Sequence, residues 1–523
     1  MGGDMITETL KDLTALGFAP NSIKESLAAR QLCVVADGSV NNFNGSGKTV
    51  ATAGTYDSVR TAHYNRSGKT IVGLVLVYAN YAQAGSTEVA NPNSINVQAA
   101  YEPLSPTSIG TQDQPRSQAM WGGLTTALID RRAVIKSDII PVIIPPNTNF
   151  FIRTGSTSTN NGGTVSRGIC ARGGTSGFGI DNGEGADGSA NKIGDGGGTI
   201  TVNTSTAIYS PSAILGILAD GSICASVALL GDSITAGTDD AGYGYNYGGW
   251  PIRAFANYPH VYLPIAGETM AQFADRVKSH NRFQIASFCS TIHCAYGRND
   301  IQQSRTLAQF KADVLTVASW FMGQGKRFIQ ATILPAPTST DGFFTVASQT
   351  KDTLEATRVS FNAWIRDATA TGFVAQANAQ MVTLGITRAG DAKISDPCAG
   401  IECDIAGVLT QDGGYILGSQ SALLTNGTAT SGSTTTLNDT GKSWTVNAYK
   451  GYTCFIVSGT GAGQIRTIGY NTATQLVFLN TGTALDNTSV YQVFNGLGMN
   501  GVHPCSTGHA LAATSITASD LVI

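Results

Sequence analysis

Val227-Ala228-Leu229-Leu230-Gly231-Asp232-Ser233-Ile234-Thr235-Ala236-Gly237 is a short apolar run that stops at Gly-Asp-Ser. A continuous apolar run closed by turn residues predicts a strand buried on both faces. The end of that strand presents one hydroxyl, that of Ser233. In open α/β sheets, ligands bind outside the carboxyl ends of the strands. A serine placed there is a candidate nucleophile if a base and oxyanion donors lie within reach.

The pattern downstream alternates. Residues 250–256 read as helix, 261–265 as strand, 271–279 as helix and 291–295 as strand. Helix is predicted again over 307–321, strand over 328–334, and a long helix over 353–368. This order implies a parallel sheet covered by helices on both faces. We assign residues 216–416 to this α/β domain, and 495–523, with a helical pattern at 507–512, to its last part. Between them, 417–494 are poor in charge and rich in Thr, Gly and Asn, which predicts an inserted small β-module.

Residues 31–215 read as an all-β sandwich, with strand-like runs at 71–78, 94–100 and 133–144 and turns rich in Pro, Gly and Asn. Residues 1–30 carry two short amphipathic stretches, suited to attachment or oligomerisation or to packing as a tail on the next domain. The Gly/Ser/Asn stretch over 155–198 contains Asp181-Asn182-Gly183-Glu184-Gly185-Ala186-Asp187-Gly188. Alternating carboxylates there suggest calcium, but the spacing is not that of the standard loop, and a flexible surface loop is the better expectation.

Composition excludes several classes. The 523 residues carry a net charge of −3, and only 13% are charged. No basic stripe marks a nucleic-acid face, and no polybasic segment marks an anionic membrane. No apolar run reaches transmembrane length, and the first residues lack the basic and apolar regions of a secretory signal. Nine cysteines lie scattered, an odd count without a framework, which implies reduced thiols made in a cytoplasm. Cys398 and Cys403 are the pair whose setting suits a loop disulfide. No metal-ligand cluster or phosphate loop appears, so no cofactor is expected.

Three further blocks complete a constellation. Ile265-Ala266-Gly267-Glu268-Thr269 follows the second strand, and Tyr296-Gly297-Arg298-Asn299-Asp300 follows the third. Asn500-Gly501-Val502-His503-Pro504 precedes the final helix. A parallel sheet would place all three at the same edge as Ser233. These four blocks, in this order, resemble the GDSL/SGNH hydrolase family. The resemblance covers 225–416 and 495–515 and implies a serine esterase. It implies Ser233 as nucleophile and His503 as general base. It implies an oxyanion hole made of the Ser233 N–H, the Gly267 N–H and the Asn299 side-chain amide.

The other histidines fit less well. His63 falls in the β-region, His260 at the start of a strand and His280 at the end of a helix, the last two expected at the surface. His293 lies in an apolar strand and is expected in the core, and His509 opens a turn of the last helix.

One position departs from the family. The family has Asp three residues before the histidine, where this chain has Asn500. Three arrangements are open. Ser233 and His503 act as a dyad, with Asn500 or a backbone carbonyl orienting the ring. Another acid substitutes, Asp396 and Asp404 being the nearest candidates. Or the site is weak or inert and the chain mainly binds.

Asp232 and Asp300 are expected to fix turns, and Arg298 either to meet substrate or to form a salt bridge. Tyr243, Tyr245, Tyr247 and Trp250 either stack on sugar rings or pack over the sheet edge. The insert, with residues 440–446 and 458–464, resembles small modules of phage fibre and spike proteins. The implied setting is a bacteriophage virion, acting on a host surface glycan beside other virion proteins. A homo-oligomer, by analogy a trimer, is expected, with no nucleic acid and no membrane insertion.

Overall fold

The computed structural model describes residues 31–36, 56–103, 116–160, 207–240, 248–386, 390–498 and 502–522, with short pieces at 48–49, 163–165, 168–169, 184–187 and 193. Segment 1–30, most of the 155–198 stretch with its calcium reading, the three tyrosines at 243, 245 and 247, and Asn500 lie outside those residues.

The first described strands are β1 (Cys33–Ala36), β2 (Asp57–Tyr64), β3 (Ile71–Ala79), β4 (Ile95–Pro103), β5 (Ile140–Ile144), β6 (Asn149–Ser158) and β7 (Ala213–Leu218). They form two antiparallel sheets. One runs β1-β7-β3, with β5 also on β3, and the other runs β2-β6-β4. Leu76 and Val77 of the first sheet and Ile95 and Ile152 of the second belong to one buried cluster. Tyr78 and Thr154 share a 2.7 Å hydrogen bond between the sheets. A hairpin of Tyr81–Ala84 and Thr87–Ala90 leaves β3 and reaches toward the α/β region.

That region holds a five-stranded parallel sheet. Its strands are β8 (Val227–Gly231), β9 (His260–Tyr262), β10 (Thr291–Ala295), β11 (Arg327–Ala331) and β12 (Ala392–Ser395), in the order β9-β8-β10-β11-β12. All five residues of β8 are buried. Ala228 and Leu230 join one apolar cluster, while Val227 and Leu229 join another with Phe255 and Tyr262. Alternate residues thus serve opposite faces, as a strand covered on both sides requires. In register, Val227 pairs with Thr291 and Gly231 with Ala295, so β8 and β10 end level.

Helices α1 (Trp250–Ala254), α2 (Met270–Phe273), α3 (His280–Ala286), α4 (Arg298–Gln302), α5 (Leu307–Met322), α6 (Glu355–Arg366) and α7 (Phe373–Thr383) fall between the strands. Thr306 caps α5 reciprocally with Gln309, which satisfies two N–H groups that the first turn leaves open. The expected helix over 271–279 is shorter, ending at Phe273. His280 is exposed as expected but begins α3 rather than ending a helix. His260 opens β9 but is buried, because its strand is covered.

Strands β13 (Thr425–Thr428), β14 (Ser431–Gly432), β15 (Thr436–Asn438), β16 (Thr453–Ser458), β17 (Ile465–Asn471), β18 (Gln475–Phe478) and β19 (Val490–Phe494) form a seven-stranded antiparallel sheet in the order β13-β19-β16-β17-β18-β15-β14. It has its own apolar cluster around Leu437, Trp444, Ile468 and Tyr491. The chain then enters α8 (Ser506–Thr514). Leu497 and Phe343 pack in one cluster with Ile234, which carries the strand's exit into the turn after β8.

Candidate active site

The turn after β8 is held by its own acid. Asp232 Oδ1 accepts the N–H of Ile234 at 2.9 Å, so its side chain closes the turn that exposes Ser233. Burial pushes the Asp232 carboxyl up to about 7. Backbone bonds from Ala236 to Asp232 and from Thr238 to Ser233 continue as a helical turn. Ser233 itself is half-buried.

His503 Nε2 lies 2.8 Å from Ser233 Oγ, across 270 residues of sequence. Burial, with smaller contributions from His509 and Arg298, pushes the ring down to about 4. At neutral pH the ring is therefore uncharged. With its proton on Nδ1, it accepts the Ser233 hydroxyl at Nε2, the arrangement a general base needs.

The donors for an oxyanion lie on two neighbouring loops. Gly267 follows β9 with φ +78°, a conformation open to glycine at little cost. Among the described residues, neither the Ser233 nor the Gly267 backbone N–H donates to any protein group. The Asn299 amide is differently placed. Its Nδ2 donates to Asp232 Oδ2 at 3.2 Å and to the Glu268 carbonyl at 3.0 Å. It ties the three loops together, and it would have to share a proton to serve an oxyanion.

Behind these loops runs a buried ionic chain. Arg282 pairs with Glu268 at 2.6 Å and with Glu88 at 3.2 Å, all three side chains having no exposure. Tyr296 donates to Glu268 at 2.5 Å. Glu88 belongs to the hairpin from the antiparallel sheets and also accepts the N–H groups of Asn281 and Arg282. The hairpin's Ser86 accepts a bond from Gln272, and a Cβ on Gly267 would meet Ser86 at 3.4 Å. The β-region thus braces the Gly267 loop.

The other acids of the α/β region have their own tasks. Asp300 accepts the first N–H groups of α2, from Met270 and Ala271, as a loop-fixing residue would. Arg298 pairs with Asp352 at 2.5 Å. Asp396 pairs with Arg366 and Asp404 caps the N–H groups of Ala406 and Val408, so neither of the two expected substitutes serves His503. The carboxylate at the ring is instead Asp239, whose Oδ2 lies 3.8 Å from His503 Nδ1. The sequence offered one sign of it, an Asp239-Asp240 pair in an otherwise uncharged stretch just after the nucleophile block. Asp240 turns the other way, pairing with Arg253 and accepting the Gly249 N–H.

Other expectations resolve without chemistry. Trp250 is buried in α1, donates its backbone N–H to His509 and packs edge-on against His293, so it offers no sugar platform. His293 is in the core, bonded to Ser395. Cys398 and Cys403 are free and buried. The close thiol pair is Cys33 with Cys224, 3.3 Å apart. Among the described residues no three His, Cys, Asp or Glu side chains gather as a metal site would require.

No protein-family model matches the chain, and no curated protein does either. Solved structures do match in part. A GDSL-like lipase from Bacteroides thetaiotaomicron is 15% identical, covering 37% of this chain and 80% of that one, with a TM-score of 0.23. A catalytic mutant of an acetylxylan esterase from Geobacillus stearothermophilus is 13% identical over 33% of this chain and 76% of that one, with a TM-score of 0.23. A salicylyl-acyltransferase from a tetracycline biosynthetic pathway is 10% identical over 70% of this chain and 77% of that one, with a TM-score of 0.26.

Proposed function

We propose that the protein is a serine esterase that removes O-acetyl groups from a bacterial surface polysaccharide, carried on a phage virion. The observation that carries the esterase reading is the 2.8 Å contact between Ser233 Oγ and the uncharged ring of His503. It stands at the carboxyl edge of a parallel sheet, beside two backbone N–H groups that donate to none of the described residues.

In this reading Ser233 Oγ attacks the acyl carbon while His503 Nε2 takes its proton. The carbonyl oxygen becomes an oxyanion facing the Ser233 and Gly267 N–H groups. Such donors are worth about 3–4 kcal/mol each in transition-state stabilisation. The intermediate collapses, the ring gives the proton to the leaving sugar oxygen, and an acyl-enzyme remains on Ser233. Water, deprotonated by the same ring, attacks the acyl carbon, and the ring returns that proton to Ser233 Oγ as acetate leaves.

The carbohydrate and virion parts rest on sequence. They are supported by the Thr-, Gly- and Asn-rich insert and by its resemblance to phage fibre modules. Other virion proteins and further copies of the chain are the expected partners.

A second reading, a receptor-binding virion protein with an inert hydrolase domain, draws on the Asn299 amide being bonded within the protein. Acetate release from O-acetylated polysaccharide and from p-nitrophenyl acetate separates the two. Ser233→Ala is expected to abolish it with the fold intact. Negligible release by the unsubstituted protein, with glycan binding that survives Ser233→Ala, would establish the second reading.

A further inference from the structure

We propose that Asp239 is the positioning carboxylate of the site, in a chain whose sequence has Asn500 where the resemblance implies an acid. This rests on the esterase reading above. Asp239 is held at φ +68°, a left-handed conformation uncommon outside glycine. Its side chain is only 8% exposed, receives no hydrogen bond from the described residues, and lies 3.8 Å from His503 Nδ1. A buried acid without hydrogen bonds, on a strained backbone, costs stability. Strain and desolvation kept together in a turn beside a nucleophile point to function.

The 3.8 Å separation decides what the acid does. It is too long for a hydrogen bond in the resting site. Burial raises Asp239 to about 6 and lowers His503 to about 4, so no pH charges both groups at rest. The ring becomes cationic when it takes the Ser233 proton, and only then does the carboxylate attract it. An interaction made in the transition state and absent from the ground state accelerates the chemical step.

Among the described residues, the charged and titratable groups that act on the ring are Asp239 from the turn after β8, Arg298 on α4 and His509 on α8. Arg298 is held by Asp352, and His509 lies beside the Asp240–Arg253 pair. Arg298 and His509 oppose the cationic ring, and of these groups Asp239, 3.8 Å from Nδ1, is the one able to carry the opposite charge.

The test is the pH profile of kcat/KM for acetate release from p-nitrophenyl acetate, in the full chain and in Asp239→Asn, Asp239→Glu and Ser233→Ala. The unsubstituted enzyme is expected to lose activity below about pH 6, as Asp239 protonates. Asp239→Asn is expected to lower the neutral plateau on the order of tenfold to hundredfold, less than the roughly ten-thousandfold loss seen where the acid bonds the ring directly. The variant's own acid limb should move down toward about 4, where the ring alone titrates. The deficit therefore narrows by about tenfold per pH unit below 6. Asp239→Glu restores part of the plateau. An unchanged plateau in Asp239→Asn, or a loss of the same factor at every pH, would overturn the proposal. Turnover surviving in Ser233→Ala would overturn the esterase reading instead.

Discussion

The two halves of the candidate site are built on opposite principles. The oxyanion half is anchored by buried charge. Glu268, beside Gly267, is gripped by Arg282, which also grips Glu88 from the β-hairpin, and Asn299 cross-links the loops. Among the described residues, the base half has no such anchoring on its acid: Asp239 faces the His503 ring at 3.8 Å and receives no hydrogen bond from them. Donors for an oxyanion must be aimed before the reaction, so rigidity serves them. A base must change charge during the reaction, so a partner that engages only afterwards serves it. Substitutions in the first half should cost stability, and substitutions in the second should cost turnover.

The largest expected effect is in the base half. His503→Ala is expected to lower kcat by at least about a thousandfold with little change in melting temperature. A comparable loss of stability would blur the contrast. In the other half, Arg282→Met leaves Glu268 and Glu88 buried without a cation. It is expected to destabilise the protein by about 3–5 kcal/mol in denaturant unfolding. A neutral result would mean that the anchoring is cosmetic.

Gly267→Ala tests the anchored loop at its donor. The added Cβ meets only Ser86 at ordinary contact distance, so the strain lies in φ +78°. The expected stability cost is about 1–2 kcal/mol, with kcat lowered about tenfold to hundredfold.

One stability effect has the opposite sign. Asp239 is raised from 3.8 to about 6 by burial, so the folded state holds its proton more tightly than the unfolded chain does. Stability from this group is complete below about pH 4 and is lost as pH rises to about 6. Asp239→Asn should therefore stabilise the fold by about 2–3 kcal/mol at pH 7 and hardly at all at pH 4. Melting curves at the two pH values measure it. A variant more stable and less active at neutral pH is the signature of a group kept for function.

The parts legible in sequence are those set by local pattern. The strand at β8 reads as an unbroken apolar run because both its faces are covered, and the glycine and turn residues after it mark its end. Helix α5 carries its own capping residues. Strand β12 and helix α7 carry no such local signal. Ala392-Lys393-Ile394-Ser395 is a short edge strand with little apolar signal, and α7 has few large apolar residues.

At the site, the serine, the histidine and the two donor loops are legible from their motifs, and their mutual distances come from the fold. The amide at position 500, where the resemblance implies an acid, is visible in the sequence, while the Asp239-Asp240 pair does not by itself mark the carboxylate beside His503. Asp239 reaches the ring through the path of one turn and a positive φ, which no spacing rule encodes. Glu88 and Arg282 lie 194 residues apart, so their pairing leaves no mark in the linear pattern.

The central claim is that Ser233 is an activated nucleophile. Labelling the folded protein with a fluorophosphonate probe at neutral pH, followed by peptide mass spectrometry, measures it most directly. One adduct per chain on Ser233, lost in Ser233→Ala and strongly slowed in His503→Ala, is the expected result. A folded protein that takes no label, or takes it elsewhere at an undiminished rate when Ser233 is removed, would contradict it.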